Sequence, residues 1–145
     1  MARSTIELPA QFRFSCTVPV RITDLNYGGH VGNDTVLSLI QEARVQFLAR
    51  AGYTELNCAG VGLIMRDMAV EFKRELLYGD QPLIGVLAHS FTRAGFELYY
   101  KVEILQADNR FLAVAARTGM VSFNYTTRKV TALPEEVRLR LEAIG

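Results

Sequence analysis

From Asn33 to Gly52 the chain reads NDTVLSLIQEARVQFLARAG, and this stretch constrains the fold more than any other. Asn33 or Asp34 supplies a helix N-cap, Gly52 a carboxyl-terminal stop, and nothing between them breaks a helix. Apolar residues at Val36, Leu37, Leu39, Ile40, Ala43, Phe47, Leu48 and Ala51 nearly encircle it. A surface helix shows only a stripe of about 100°, so this one is expected to be covered on most faces. At about 18 residues it is about 27 Å long.

The material to cover it is strand-like. Phe12–Ile22 is rich in Phe, Val and Thr, and reads as a first strand. Thr23–Gly32 (TDLNYGGHVG) is a glycine-rich loop leading into the helix. Beyond it, Leu63–Lys73, Pro82–Thr92, Phe96–Gln106 and Phe111–Phe123 read as four more strands; within Phe96–Gln106, Phe96, Leu98, Tyr100, Val102 and Ile104 alternate with charged or polar residues. Ala107-Asp108-Asn109-Arg110 is a turn, which makes the last two strands an antiparallel hairpin. Pro134 at a helix N1, with Glu135 and Glu136 behind it, starts a short closing helix toward Ile144. Runs of one element type, rather than βαβ alternation, specify an α+β fold with an antiparallel sheet. A five-stranded sheet curled around one long central helix satisfies the pattern.

Composition sets the remaining bounds. The chain has 145 residues, is 50% hydrophobic and carries a net charge of +1. A chain of this size buries about 68–70% of its unfolded surface and holds a core without a metal or disulfide staple. No Pro/Gly/Ser-rich linker or repeat divides it, so residues 1–145 are read as one domain. The near-neutral charge gives no basic field, which argues against nucleic acid as a partner. Cys16 and Cys58 have no metal-ligand or disulfide spacing, so reduced thiols and a cytoplasmic location are expected. The amino-terminal stretch Met1–Pro9 contains Glu7 and has no apolar run suited to a signal peptide. No run approaches the roughly 20 apolar residues that span a bilayer.

Residues Arg21–Leu48, RITDLNYGGHVGNDTVLSLIQEARVQFL, resemble the signature of the 4-hydroxybenzoyl-CoA thioesterase-type branch of the hotdog superfamily: Asp-x-Asp/Asn, Gly-His-Val, Asn, then a helix containing Glu-Ala-Arg. The likeness continues in Phe72-Lys-Arg-Glu, Tyr78-Gly-Asp, Phe96-Glu-Leu-Tyr-Tyr-Lys and Arg117-Thr-Gly-Met-Val-Ser-Phe. It implies the hotdog fold and hydrolysis of an acyl-CoA or acyl-carrier-protein thioester at a site shared between subunits of a homodimer or homotetramer. CoA would enter as part of the substrate, with no resident cofactor expected, and the absence of CxxC or Cys/His spacing suggests no metal.

Thioester hydrolysis needs oxyanion donors and a carboxylate acting as base or nucleophile. The backbone amides of Gly28–Asn33, at the helix N-terminus, suit the first role. In many relatives the second acid of Asp-x-Asp is the catalytic one, and the matching position here is Asn26, which can orient water but cannot take its proton. Glu42, two turns into the helix, is therefore ranked first as base or nucleophile, its pKa expected to rise by desolvation. Asn26 is expected to position, with Asp24 or Asp34 behind as carboxylates; a structural role for Glu42 would pair it with Arg44, Arg21 or an arginine of another strand. Asp24 also reads as a cap on the turn running to Gly28. His30 is a candidate for binding substrate. Lys73, Arg74, Arg93 and Arg117, with Arg128 and Lys129, are candidates for the CoA phosphates. Tyr53, Met65, Met68 and Phe72 are candidates for the acyl pocket.

Two other readings stay open. With Asn at position 26 the chain could be a non-catalytic acyl or CoA-binding module. A hydratase or dehydratase would use His30 with a carboxylate; against it, no His-Phe-Pro-Gly motif occurs, and Asp24 and His30 stand six apart rather than the five of the hydratase pattern.

Overall fold

The structure is a computed structural model and describes residues 5–145. The first four residues of the Met1–Pro9 stretch lie outside the described residues. Elements follow in the order β1 (Phe14–Thr17), a 3-10 turn (Ile22–Asp24), α1 (Asn33–Arg50), β2 (Gly62–Phe72), β3 (Leu83–His89), β4 (Gly95–Gln106), β5 (Asn109–Asn124), β6 (Lys129–Val130) and α2 (Glu135–Ile144).

All strand pairs are antiparallel, in the order β1-β3-β4-β5-β2 with β6 on β5. The sheet is curled, as expected, but among the described residues it has six strands rather than five. The sixth is two residues long, too short to show alternation; it forms because Asn124 Oδ1 accepts the amides of Thr126 and Thr127 and turns the chain back. The β4–β5 hairpin closes on Ala107 and Asp108 alone, both at positive φ (48° and 66°), the backbone of a two-residue type I′ turn; Asn109 and Arg110 already belong to β5. The first strand is shorter than Phe12–Ile22. Past Thr17, Val18 and Val20 donate to Pro82 and Asp80 carbonyls, and Ile22–Asp24 then coils into its turn.

The inward row of the sheet is Phe96, Leu98, Tyr100, Val102 and Ile104 on β4, with Ile84, Val86 and Ala88 on β3, all buried. Against it α1 lays Val36, Leu39, Ile40, Ala43, Phe47 and Leu48. Each large side chain among these contributes about 1.5–3 kcal/mol by leaving water. The other side of α1 is open: Asn33, Asp34, Leu37, Ser38, Gln41, Glu42, Val45 and Gln46 are exposed. That corrects the expectation of a helix covered on most faces. The sheet reaches one side only, and Leu37 (38% exposed) and Val45 (46%) are apolar residues this chain does not cover.

The carboxyl end of α1 stops as expected at Gly52 (φ +84°), where the amides of Gly52 and Tyr53 return to the Ala49 and Leu48 carbonyls as a Schellman motif. At the amino end the expected caps are corrected: Gly32 is the N-cap and, among the described residues, no side chain caps the helix. Pro134, likewise, is the N-cap of α2 rather than its first helical residue. Among the described residues, no helix is long and apolar enough to cross a membrane.

Candidate functional site

With Gly32 at the N-cap, the first intrahelical bond is from the Val36 amide to the Gly32 carbonyl. The amides of Asn33, Asp34 and Thr35 are left without a partner among the described residues. They sit where the helix dipole concentrates partial positive charge.

The loop before them is held in two places. Asn26 and His30 bond through their backbones, and Val31 donates to the Leu76 carbonyl, which brings the loop against the segment after β2. Beside α1 this creates a hollow of about 290 Å³ lined by His30, Val31, Asn33, Val36, Phe72, Lys73, Arg74, Glu75 and Leu76. Four of the expected site residues, His30, Asn33, Lys73 and Arg74, therefore meet, joined by Phe72 of the expected acyl pocket. His30 is half-buried, with Nδ1 3.3 Å from the Val31 carbonyl oxygen and Nε2 3.8 Å from Glu75. The Arg74 guanidinium stacks 3.9 Å above the centre of the Phe111 ring.

Two glycines let polar side chains close around this loop. A Cβ on Gly28 would stand 3.2 Å from Asn26 Oδ1 and 3.5 Å from His30 Nε2. One on Gly32 would stand 2.7 Å from Asp34 Oδ1 and 3.8 Å from Asn26 Nδ2. His30, Asn26 and Asp34 thus form a row with a glycine between each pair. Asn26 is oriented by the Gly28 amide, which donates to its Oδ1 at 2.8 Å.

The other candidates lie elsewhere. Asp24 is buried, and its carboxylate accepts the Arg21 amide at 2.7 Å and the guanidinium at 3.3 and 3.4 Å. Desolvation pushes its pKa up, but the amide and guanidinium of Arg21 outweigh it and hold the group below the ordinary carboxylate range. Asp24 does cap a turn, but the preceding one, toward Arg21, rather than the one running to Gly28.

Glu42 is exposed, so the desolvation expected for it is absent in this chain. It lines a second hollow, of about 250 Å³, with Val18, Pro19, Arg21, Asp24, Ser38 and Leu39, on the β1 side of the helix. Its charge, added to burial, pushes the Cys16 thiol up to about 11. Burial and Glu55 push the Cys58 thiol up to about 12. Arg44 pairs not with Glu42 but with Glu55 at 2.5 Å, and also reaches the buried Tyr100 hydroxyl at 3.3 Å.

Arg117 lies across the sheet in ion pairs with Glu97 (3.2 Å) and Asp67 (3.4 Å). Arg93 lines a 760 Å³ cleft between the β3–β4 turn and α2, at the other end of β3 from the loop. Arg128 lies 5.9 Å from the centre of the Phe123 ring, and Lys129 is in β6. Tyr53 is buried at the far end of α1, its hydroxyl without a hydrogen-bond partner among the described residues. Met65 is exposed and Met68 half-buried on β2.

Sequence reasoning did not anticipate Gly32 as an empty cap, the free Thr35 amide, or Glu75 and Leu76 in the hollow. The first was legible: a glycine before Asn33 fits an N-cap that has no side chain to bond. The last two depend on a pairing of His30 with Leu77 that no local pattern announces.

A family model described as the thioesterase-like superfamily matches residues 20–141. No curated protein sequence matches the chain. Among solved structures, a thioesterase from Thermus thermophilus complexed with coenzyme A and zinc is similar at 25% identity and TM-score 0.79, over 94% of this chain and 96% of that one. A 1,4-dihydroxy-2-naphthoyl-CoA thioesterase from Synechocystis matches at 22% identity and TM-score 0.77, over 88% and 94%. A mutant 4-hydroxybenzoyl-CoA thioesterase complexed with 4-hydroxybenzoyl-CoA matches at 15% identity and TM-score 0.79, over 88% and 97%. The last two bear on the fold alone.

Proposed function

The chain belongs to the thioesterase-like superfamily, and on that premise we propose that it hydrolyses acyl-CoA thioesters at the amino end of α1. The observation that carries the reading is the uncapped helix end: the amides of Asn33, Asp34 and Thr35 are free beside a hollow that has an apolar wall and a basic rim. Donors fixed before reaction are what a thioester oxyanion requires, and losing one such donor costs about 10²–10³ in kcat in other enzymes. Phe72, Val36 and Leu76 give the acyl group an apolar wall. His30 and Asn26 flank the reacting carbonyl and its water. Lys73 and Arg74, at the rim, take the phosphates of CoA.

The hollow of about 290 Å³ is at the lower limit of small-ligand pockets, which run about 300–1,000 Å³, and one chain closes only one side of it. β2 ends the sheet, with Ile64, Met65 and Phe72 exposed along it, and Leu37 and Val45 of α1 are exposed as well. An edge of 11 residues with apolar side chains invites another strand. The occupant we propose is β2 of a second copy, which would cover the apolar residues of this edge and give the hollow its second wall.

The test is purified protein with a panel of aliphatic and aromatic acyl-CoAs and detection of free thiol, run beside acyl-carrier-protein thioesters. Turnover above background is expected for at least one acyl-CoA. If no thioester turns over while CoA binds in calorimetry, the chain is a binding module and the hydrolase reading falls. Light scattering is expected to give a dimer or a tetramer; a monomer at assay concentration overturns the shared site.

A further inference from the structure

We infer that Asp34 is the general base of this hydrolysis, working beside the Asn26 amide; the inference rests on the reading just given. Carboxylates around the amino half of α1 differ in what they are free to do. Asp24 is buried and committed to Arg21 through an amide at 2.7 Å and a guanidinium at 3.3 Å, and releasing it would undo the turn that enters the loop. Glu42 lies about two turns beyond the free amides and opens into the hollow on the β1 side with Asp24 and Arg21. Glu75 lines the hollow that holds His30, Asn33 and Phe72, but its carboxylate faces His30 Nε2 at 3.8 Å.

Asp34 is different. Its carboxylate folds back over the N-cap, 2.7 Å from where a Gly32 Cβ would be, while Asn26 Nδ2 is 3.8 Å from the same point. It caps none of the helix amides and has no cationic partner among the described residues. Base and oxyanion donors therefore share one helical turn, with an amide beside them to orient water. The absence of a side chain on Gly32 is what gives the carboxylate that position.

In the reaction, Asp34 takes a proton from water as the water oxygen bonds to the thioester carbonyl carbon. The carbonyl oxygen becomes the oxyanion and is held by the free amides. Collapse of this intermediate breaks the carbon–sulfur bond. The proton on Asp34 passes to the departing thiolate, leaving a carboxylic acid and free CoA thiol. Water is the one co-reactant.

The experiment measures kcat/KM of the wild-type protein, Asp34→Asn, Asn26→Asp, Asn26→Asp/Asp34→Asn, Glu42→Gln and Glu75→Gln on the acyl-CoA that turns over fastest. Asp34→Asn is expected to lose about 10²–10⁴-fold in kcat, the range of a positioned general base. Its melting temperature should be unchanged, since the side chain is exposed, and the acidic limb of its pH–rate profile should vanish. Returning a carboxylate from the other side of Gly32, in Asn26→Asp/Asp34→Asn, should restore much of the rate and the limb, while Asn26→Asp alone should gain little over wild type; a gain in Asn26→Asp as large as the rescue would place the base at position 26 and overturn the assignment. Wild-type kcat and an unaltered acidic limb in Asp34→Asn overturn the assignment, as does a loss in Glu42→Gln or Glu75→Gln as large as that in Asp34→Asn. A wild-type protein that turns over no thioester overturns the hydrolase reading itself, and this inference with it.

Discussion

At its carboxyl end α1 is closed by three separate devices. Gly52 turns the chain through a Schellman motif, Arg140 from α2 donates to the Ala51 carbonyl at 3.1 Å, and Arg44 ties the last turns to Glu55 in the following loop. At its amino end Gly32 contributes no capping side chain, three amides are unpaired, and the residues around them line a hollow. An N-cap side chain is worth about 0.5–2 kcal/mol, so the open end forgoes stability that the closed end has. The same helix is thus anchored at one terminus and kept available at the other. Substitutions at the closed end should change stability and spare the chemistry of folded molecules; substitutions at the open end should do the reverse.

The largest expected effect is at the closed end. Arg44 is buried with Glu55 at 2.5 Å, and its guanidinium also reaches Tyr100, whose hydroxyl lies 2.8 Å from Thr118. Arg44→Ala leaves that hydroxyl and the Glu55 carboxylate short of a partner, which costs about 3–5 kcal/mol, or on the order of 10 °C in melting temperature at about 2–4 °C per kcal/mol. Calorimetry reads the shift. Per folded molecule, kcat at a temperature well below the transition should stay near wild type; a parallel loss would mean that the two ends are coupled.

Next comes the basic rim of the open end. Replacing both Lys73 and Arg74 with Ala removes the two cations from the hollow, and KM for acyl-CoAs should rise about 10–100-fold, the cost of about 1.4–2.7 kcal/mol of binding. The same variant on a short thioester without the nucleotide should behave like wild type. Equal losses on both substrates would place Lys73 and Arg74 at the acyl end rather than on the phosphates.

Asp24 tests whether the open end has an anchor of its own. Its pKa is held below the ordinary value, so the stability it adds is present above about pH 4, the unfolded carboxylate range, and fades as pH falls through the native value. Asp24→Asn should therefore lower stability by about 1–2 kcal/mol at pH 7, and the difference from wild type should close in acid. Melting curves from pH 7 down to 3 check this; a difference independent of pH would assign the loss to packing instead of charge.

What is legible in the sequence divides along the same line. The Schellman glycine, the span of α1 and the alternation in β4 are local patterns, and the structure has them within a residue or two. Gly32 is equally local, but the better-bonding Asn33 and Asp34 that follow it draw the cap assignment away. The covered helix fails for a different reason: Leu37 and Val45 are as apolar as Leu39 and Ile40, and periodicity does not say whether the covering sheet belongs to this chain or to another. Lys73 and Arg74 are candidates by their chemistry, but their meeting with His30 depends on pairing between His30 and Leu77, far apart in the chain. Asp24 is expected to cap forward and caps backward, since a carboxylate between two turns has local donors on both sides and burial decides between them.

The smallest effects come from the two glycines that end the helix, and they separate its termini most cleanly. Gly52 sits at φ +84°, where a Cβ is strained whatever the space around it. Gly52→Ala should cost about 1 kcal/mol and leave kcat unchanged. Gly32 has φ −68°, ordinary for any residue, and the nearest atom to a new Cβ there is the tip of the Asp34 side chain at 2.7 Å. That carboxylate moves more cheaply than backbone does, so Gly32→Ala should alter stability by less than about 0.5 kcal/mol. It must nevertheless push the carboxylate off the N-cap, and kcat/KM should fall, though by less than in Asp34→Asn. Were Gly32→Ala instead to lower the melting temperature as much as Gly52→Ala and spare the rate, Gly32 would be serving the fold, and the open end would be no more specialised than the closed one.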